Sequence, residues 1–257
     1  MKVVILAGGF GTRLSEYTKV IPKPMVEIGG KPILWHIMNH YAHFGYKEFV
    51  IALGYKSDVI KNYFLQYYTL NNDFTIDLKG NKISYINERP TDWKVSLVDT
   101  GSNSMTGGRV LRLKDIIGNE TFMLTYGDAV SNVNISNLIE EYNKSGKLAM
   151  VTAVHPTARF GELSIDNYGM VKTFKEKPQV NQGWINGGFF VLSPKVFNYI
   201  TDDSTVLERE PLENLAHEGQ LACYKHDGFW QCMDTVRDRD LLNSLWDSGN
   251  APWLPNV

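Results

Sequence analysis

Leu6-Ala7-Gly8-Gly9-Phe10-Gly11-Thr12-Arg13-Leu14 is a glycine-rich turn with a cation at its far end, and Pro22-Lys23-Pro24 places a second cation close behind it. Three glycines let backbone N–H groups approach a phosphate or a base edge closely. Arg13 offers a planar fork for two phosphate oxygens, while Lys23, between two prolines that stiffen the backbone, offers a point charge. Asp128 follows an apolar run and Gly127, at a strand's carboxyl end where α/β sheets place ligands, and a carboxylate there can hold a divalent cation between phosphate oxygens. This set suits transfer of a phosphorus-centred group, which needs charge neutralisation and alignment more than proton chemistry. Two familiar phosphate loops do not fit. A dinucleotide fingerprint would need glycine where Leu14 stands, which speaks against a nicotinamide-dependent oxidoreductase. A Walker loop would need Gly-Lys-Ser/Thr in place of Gly11-Thr12-Arg13.

The elements that must carry these residues are legible in the hydrophobic pattern. The apolar run over 3–7 is rich in β-branched residues and ends in glycine, as a central parallel strand does. Pro32 opens a helix in which Ile33, Ile37, Tyr41 and Phe44 share a face, and Gly45 closes it. A strand over 48–53 and a helix over 56–68 repeat the unit. Residues 71–99 break the pattern, with short segments at 83–87 and 95–99 between turn residues. The alternation resumes with strands at 121–126 and 148–154 around a helix near 135–144. A hairpin follows at 161–175, then a strand over 188–192 and helices over 208–218 and 238–249. The expectation is an α/β fold, doubly wound around a mostly parallel, Rossmann-like sheet, with an irregular β-hairpin or edge-strand insertion at about 69–105. No repeat or linker divides residues 1–257, so a single domain is expected.

Composition narrows the function classes. The 257 residues hold 26 basic and 28 acidic side chains, a balance that argues against a surface tracking nucleic acid or anionic lipid. Cys223 and Cys232 are too few for a disulfide framework or a four-thiolate zinc site and read as reduced thiols. The first apolar run is too short for a signal-peptide core, and no window reaches the roughly 18 residues of a membrane helix. A cytoplasmic, soluble protein is expected. His36, His40 and His43 lie on one helix without a zincin glutamate and read as a partly exposed helix face. Tyr63, Phe64, Tyr67 and Tyr68 read as core packing, although an oligomer interface uses the same chemistry.

The glycine loop with Pro22-Lys23-Pro24-Met25 behind it resembles the signature of the sugar nucleotidyltransferase family. Further matches are Gly127-Asp128, Phe174-Lys175-Glu176-Lys177-Pro178, Asn186-Gly187-Gly188-Phe189, and Trp230 through Asp234-Thr235. The run from Pro22 to Met38, Asp99-Thr100-Gly101, and Met105-Thr106-Gly107-Gly108-Arg109 resemble most its branch acting on glucose 1-phosphate with CTP. The resemblance implies the reaction of CTP and α-D-glucose 1-phosphate to CDP-glucose and pyrophosphate. It also implies Mg²⁺, a homo-oligomer (hexamers occur in this group), and a place in making dideoxyhexoses for the O-antigen of lipopolysaccharide. One departure is Ile21, where relatives often carry another lysine, so triphosphate binding would lean harder on Arg13 and Lys23.

On this resemblance the nucleotide lies along Leu6, Ala7, Gly8, Gly9, Phe10, Gly11, Thr12 and Arg13, with Lys23, Ser104, Gly107, Arg109 and Asp128. Arg13, Lys23 and Asp128 are the expected catalytic groups, and Asp128 and Asp234 the metal ligands. Arg159, Glu176, Lys177, Asn186, Gly187 and Gly188 are expected around the sugar phosphate. Cytosine needs an acceptor at one end and donors at the other, which backbone at Gly8 and Gly107 and the Ser104 hydroxyl could supply. Uridylyl- or thymidylyltransfer would differ only in that readout. A catalytically silent sugar-nucleotide sensor would not need both metal carboxylates.

Overall fold

A computed structural model of the chain describes residues 1–86, 90–156, 162–165, 170–175 and 183–254. Eight strands form the main sheet: β1 (Val3–Leu6), β2 (Glu48–Leu53), β3 (Lys94–Asp99), β4 (Phe122–Tyr126), β5 (Ala149–Val154), β6 (Ile185–Asn186), β7 (Phe190–Leu192) and β8 (Leu221–His226). β1 lies between β2 and β4 and runs parallel to both. β3 extends the parallel half beyond β2. Across β4 the sense reverses: β7 runs antiparallel to β4 and to β5, and β8 returns parallel to β5.

The period-2 geometry of β1 explains its unbroken apolar sequence. Val3 and Ile5 enter one core, against Ile33, Ile37 and Tyr41 of the helix Ile33–His43; Val4 and Leu6 enter the other, against Leu113, Phe190 and Leu207. A strand clothed on both faces cannot afford a polar side chain, and none is present. The carboxyl ends of β1, β2 and β4 open on one edge of the sheet, where α/β folds place ligands.

Three local expectations change. Residues 95–99 belong to the parallel sheet as β3, not to the insertion, which contracts to an antiparallel hairpin of Asp73–Asp77 and Lys82–Ile86 packed beside the helix Ser57–Asn71. β8 was not anticipated, because its alternating, half-exposed sequence Leu-Ala-Cys-Tyr-Lys-His lacks the β-branched run that marked the central strands. His36 and His40 are 1% and 7% exposed rather than partly exposed; their Nε2 atoms lie 2.9 Å from Ile28 O and 2.8 Å from Val133 O. Only His43 faces solvent. Burial pushes both buried imidazoles down to about 4. Among the described residues, no helix is long and apolar enough to cross a membrane.

Candidate active site

Beyond β1 the chain turns through the glycine loop along one wall of a cleft of about 580 Å³. Leu6, Ala7, Gly8, Gly9, Phe10, Gly11, Thr12 and Arg13 all line it, as do Lys23, Ser104, Arg109 and Asp128. Gly9 has open space on its side-chain face, so the loop leaves room there for a ligand. Gly11 sits at φ +61°, and a Cβ on it would lie 2.9 Å from Thr18 and 3.0 Å from Lys23, which explains glycine at this bend.

Lys23 opens a short 3₁₀ turn after Pro22, and its neighbour Pro24 packs toward Gly127. Its ammonium is nearly buried between two carboxylates, 2.6 Å from Asp128 Oδ2 and 2.5 Å from Asp234 Oδ1. Arg13 Nη1 reaches the other oxygen of Asp234 at 2.5 Å from an exposed position. Burial alone would lower the Lys23 ammonium, but the carboxylates of Asp128 and Asp234 outweigh it and hold it above its ordinary value. For Asp234 burial acts in the opposite sense, upward, and Lys23 and Arg13 prevail to hold it below the usual carboxylate range.

The two acids are 106 residues apart in sequence, and a small ribbon joins them. Ala129–Ser131 pairs antiparallel with Trp230–Cys232, Cys232 opposite Ala129, so each acid stands just outside the ribbon's end. Met233 N–H donates to Asp128 O at 2.8 Å. Thr235 then caps the helix Val236–Asp247 in a reciprocal capping box with Asp238, whose carboxylate also accepts from Asp234 N–H at 3.0 Å. The backbone on both sides of the carboxylate pair is therefore fixed before any ligand arrives. Cys232 lies beside them, its thiol pushed up to about 12 by burial and by the acids.

Arg109 and Gly107 lie differently from the expectation that both touch the nucleotide. Although Arg109 borders the cleft, its guanidinium donates to Leu53 O, Thr100 Oγ1, Gly101 O, Gly8 O and Ser102 O at 2.7–3.3 Å. It ties the glycine loop to the loop after β3. Gly107 does not line the cleft; its N–H donates to Thr205 O at 2.9 Å, and a Cβ there would lie 2.8 Å from that oxygen. Its glycine serves close backbone packing, and its N–H is already taken. Gly8 O is also engaged, by Tyr55 N–H and Arg109. Ser104 remains at the cleft wall.

Of the residues expected around the sugar phosphate, Asn186 ends β6 and Gly187-Gly188 form the turn that leads to β7; none of the three lines the cleft. Asn186 Oδ1 accepts from Gly188 N–H at 2.9 Å, and Trp230 Nε1–H donates to Gly187 O at 2.8 Å. Arg159, Glu176 and Lys177 lie outside the described residues. Thr106, named from the sequence only within the run 104–109 and given no role of its own, lines the cleft, and so does Tyr126, which the sequence reading missed along with Glu208 behind them. Tyr126 had a signal, since it directly precedes Gly127-Asp128; Glu208 had none.

A cleft at the carboxyl ends of parallel strands, walled by a glycine loop and by a lysine paired with two carboxylates, is matched along the sequence by a family model. That model, described as nucleotidyl transferase, covers residues 2–239. The chain belongs to the nucleotidyl transferase family. This nucleotidyltransferase is 51% identical over 254 residues to the glucose-1-phosphate cytidylyltransferase of Salmonella typhimurium, covering 98% of both chains. It is 48% identical to a probable glucose-1-phosphate cytidylyltransferase of Bacillus subtilis, over 98% of this chain and 99% of the other. Among solved structures, HddC from Yersinia pseudotuberculosis matches with TM-score 0.71 and 25% identity, covering 95% of this chain and 99% of that one. A putative glucose-1-phosphate thymidylyltransferase from Bacillus anthracis shares the fold at TM-score 0.69 and 20% identity.

Proposed function

We propose that this enzyme transfers the cytidylyl group of CTP to α-D-glucose 1-phosphate, forming CDP-glucose and releasing pyrophosphate. The observation that carries the reading is the cluster of Lys23, Arg13 and Asp128, which line the glycine-loop cleft, with Asp234 paired to Lys23 and Arg13, together with about half identity to relatives of that activity over nearly the whole chain. A phosphate oxygen of the sugar phosphate is already ionised and attacks the α-phosphorus in line, so no general base is needed. Backbone N–H groups of the loop and the Arg13 fork take the departing pyrophosphate, and Lys23 addresses the α-phosphate. Asn186 and the Gly187-Gly188 turn hold the hexose, with Glu176 and Lys177 assigned there by resemblance. Ser104 remains the candidate base-reading side chain at the wall.

The carboxylates fit a divalent cation. Asp128 and Asp234 already converge on one positive charge, the Lys23 ammonium, and Mg²⁺ is commonly held by one or two carboxylates plus substrate phosphate oxygens. When bound there, Mg²⁺ would neutralise charge developing on the phosphates. The reading also carries a cytoplasmic setting and association of copies, for which exposed Leu65, Leu70 and Leu78 supply apolar surface. Its place would be supply of an activated hexose for surface-polysaccharide sugars.

The test is pyrophosphate release with CTP, glucose 1-phosphate and Mg²⁺. Release is expected to require all three and to fall by roughly 10²-fold or more in Asp128→Asn with the circular-dichroism spectrum unchanged. Near-normal turnover of that variant would remove Asp128 from the reaction, and no release by the native chain would refute the reading.

A further inference from the structure

Glu208 belongs to no motif and lies behind the cleft wall, between Leu207 and the helix Glu210–His217. Each of its carboxylate oxygens is taken by a hydroxyl from a different part of the site. Tyr126 donates to Oε1 at 2.6 Å, and Thr106 donates to Oε2 at 2.6 Å. Tyr126 in turn accepts from Asn186 Nδ2 at 3.1 Å, and Asn186 Oδ1 is pinned by Gly188 N–H. Thr106 accepts from Leu207 N–H at 2.9 Å. The donors and acceptors run one way along this chain, from Asn186 through Tyr126 to Glu208 and from Leu207 through Thr106 to Glu208. Both carboxylate oxygens thus act as acceptors, one for each end. Burial and the neighbouring Glu208 keep the Tyr126 hydroxyl above its ordinary pKa, so it stays a donor.

The surrounding backbone reinforces one of the two arms. Met105 N–H donates to Asp203 O and Gly107 N–H to Thr205 O, so the segment before Glu208 clamps the loop that carries Ser104 and Thr106. The close approach is possible because residues 107 and 108 are glycines; a Cβ at Gly108 would sit 2.4 Å from Asp203 O.

On the nucleotidyl-transfer reading above, we propose that Glu208 is a positioning residue that fixes the sugar-side wall (Asn186 through Tyr126) and the nucleotide-side wall (Thr106 and its loop) against a single anchor. In-line transfer needs its two substrates held in register, and a shared anchor sets the separation of the walls that hold them.

The experiment measures KM for each substrate at saturating levels of the other. Tyr126→Phe cuts only the sugar arm, so KM for glucose 1-phosphate should rise about five- to tenfold while KM for CTP stays within about twofold. Thr106→Val cuts only the nucleotide arm and should give the converse. Glu208→Ala should raise both, and adding Tyr126→Phe to it should cost little more for glucose 1-phosphate. Glu208→Gln keeps one acceptor and should fall between. If Glu208→Ala does not fold, the Tyr126→Phe and Thr106→Val pair still decides, since each leaves Glu208 in place. Equal shifts of both KM values in each single variant, or a Glu208→Gln enzyme indistinguishable from the native one, would overturn the proposal. Absence of turnover by the native enzyme with every substrate pair would instead overturn the underlying reading, and the proposal with it.

Discussion

Arg109 offers a direct way to separate a ligand contact from a structural brace. Replacing it by methionine removes five hydrogen bonds, but their loss is unequal. Leu53 O keeps Thr100 N–H and Thr100 Oγ1–H, and Gly8 O keeps Tyr55 N–H. Among the described residues, Gly101 O and Ser102 O have only the guanidinium as donor, and both sit where water has partial access. Leaving them unpaired costs about 1 kcal/mol each, and losing the bond from Arg109 to Gly8 about 1 kcal/mol more. A loss near 3 kcal/mol corresponds to a drop in melting temperature of about 6–12 °C for a domain of this size. Differential scanning fluorimetry measures it, with CTP affinity followed by calorimetry on the same sample. Affinity should weaken along with stability as the two loops part, and Arg109→Lys should recover part of both. An Arg109→Met enzyme that melts like the native one but has lost CTP binding would refute the brace and make the guanidinium a ligand contact.

Two further outcomes follow from local geometry. A Cβ on Gly8 would fall 2.2 Å from Arg109 Nη1, so Gly8→Ala should lower the melting temperature by a comparable amount; an unchanged melt would show the guanidinium free to move. His36 and His40, pushed down to about 4 from an ordinary 6.5, stay neutral in the fold while the unfolded chain binds protons. Their folded pKa values are depressed, so stability is full above about pH 6.5 and lost as pH falls toward 4, by about 3 kcal/mol for each histidine. Urea denaturation across pH 7 to 4.5 checks this, and His36→Gln should flatten the slope; a midpoint independent of pH would contradict it.

The sequence was most informative where a residue type answers to one local constraint. Val3-Val4-Ile5-Leu6 must be clothed on both faces, so its place at the centre of the sheet could be read directly. The glycine loop and Lys23 were equally plain, because φ above zero at Gly11 and a proline-flanked cation leave few alternatives. What escaped depends on contacts distant in sequence. β3 was hidden in the insertion because its half-exposed sequence resembles a hairpin strand, and only its pairing with β2 places it in the sheet. Arg109 and Gly107 sit in a family-like motif, yet whether they face a ligand or their own backbone depends on loops at Gly8 and Thr205 that no spacing reveals. Glu208 acts through hydroxyls 82 and 102 residues away. The convergence of Asp128 and Asp234 lies between these cases: each was legible as a carboxylate, but the ribbon that joins them was not.

The most direct test of the central claim is a competition. The enzyme is given CTP, UTP, GTP and dTTP at equal concentration with glucose 1-phosphate and Mg²⁺, and the sugar nucleotides are identified by mass spectrometry at low conversion. CDP-glucose should predominate over every other product, as a site built to hydrogen-bond one base rejects its rivals strongly. UDP-glucose or dTDP-glucose in equal or greater amount, or no sugar nucleotide at all, would contradict the account.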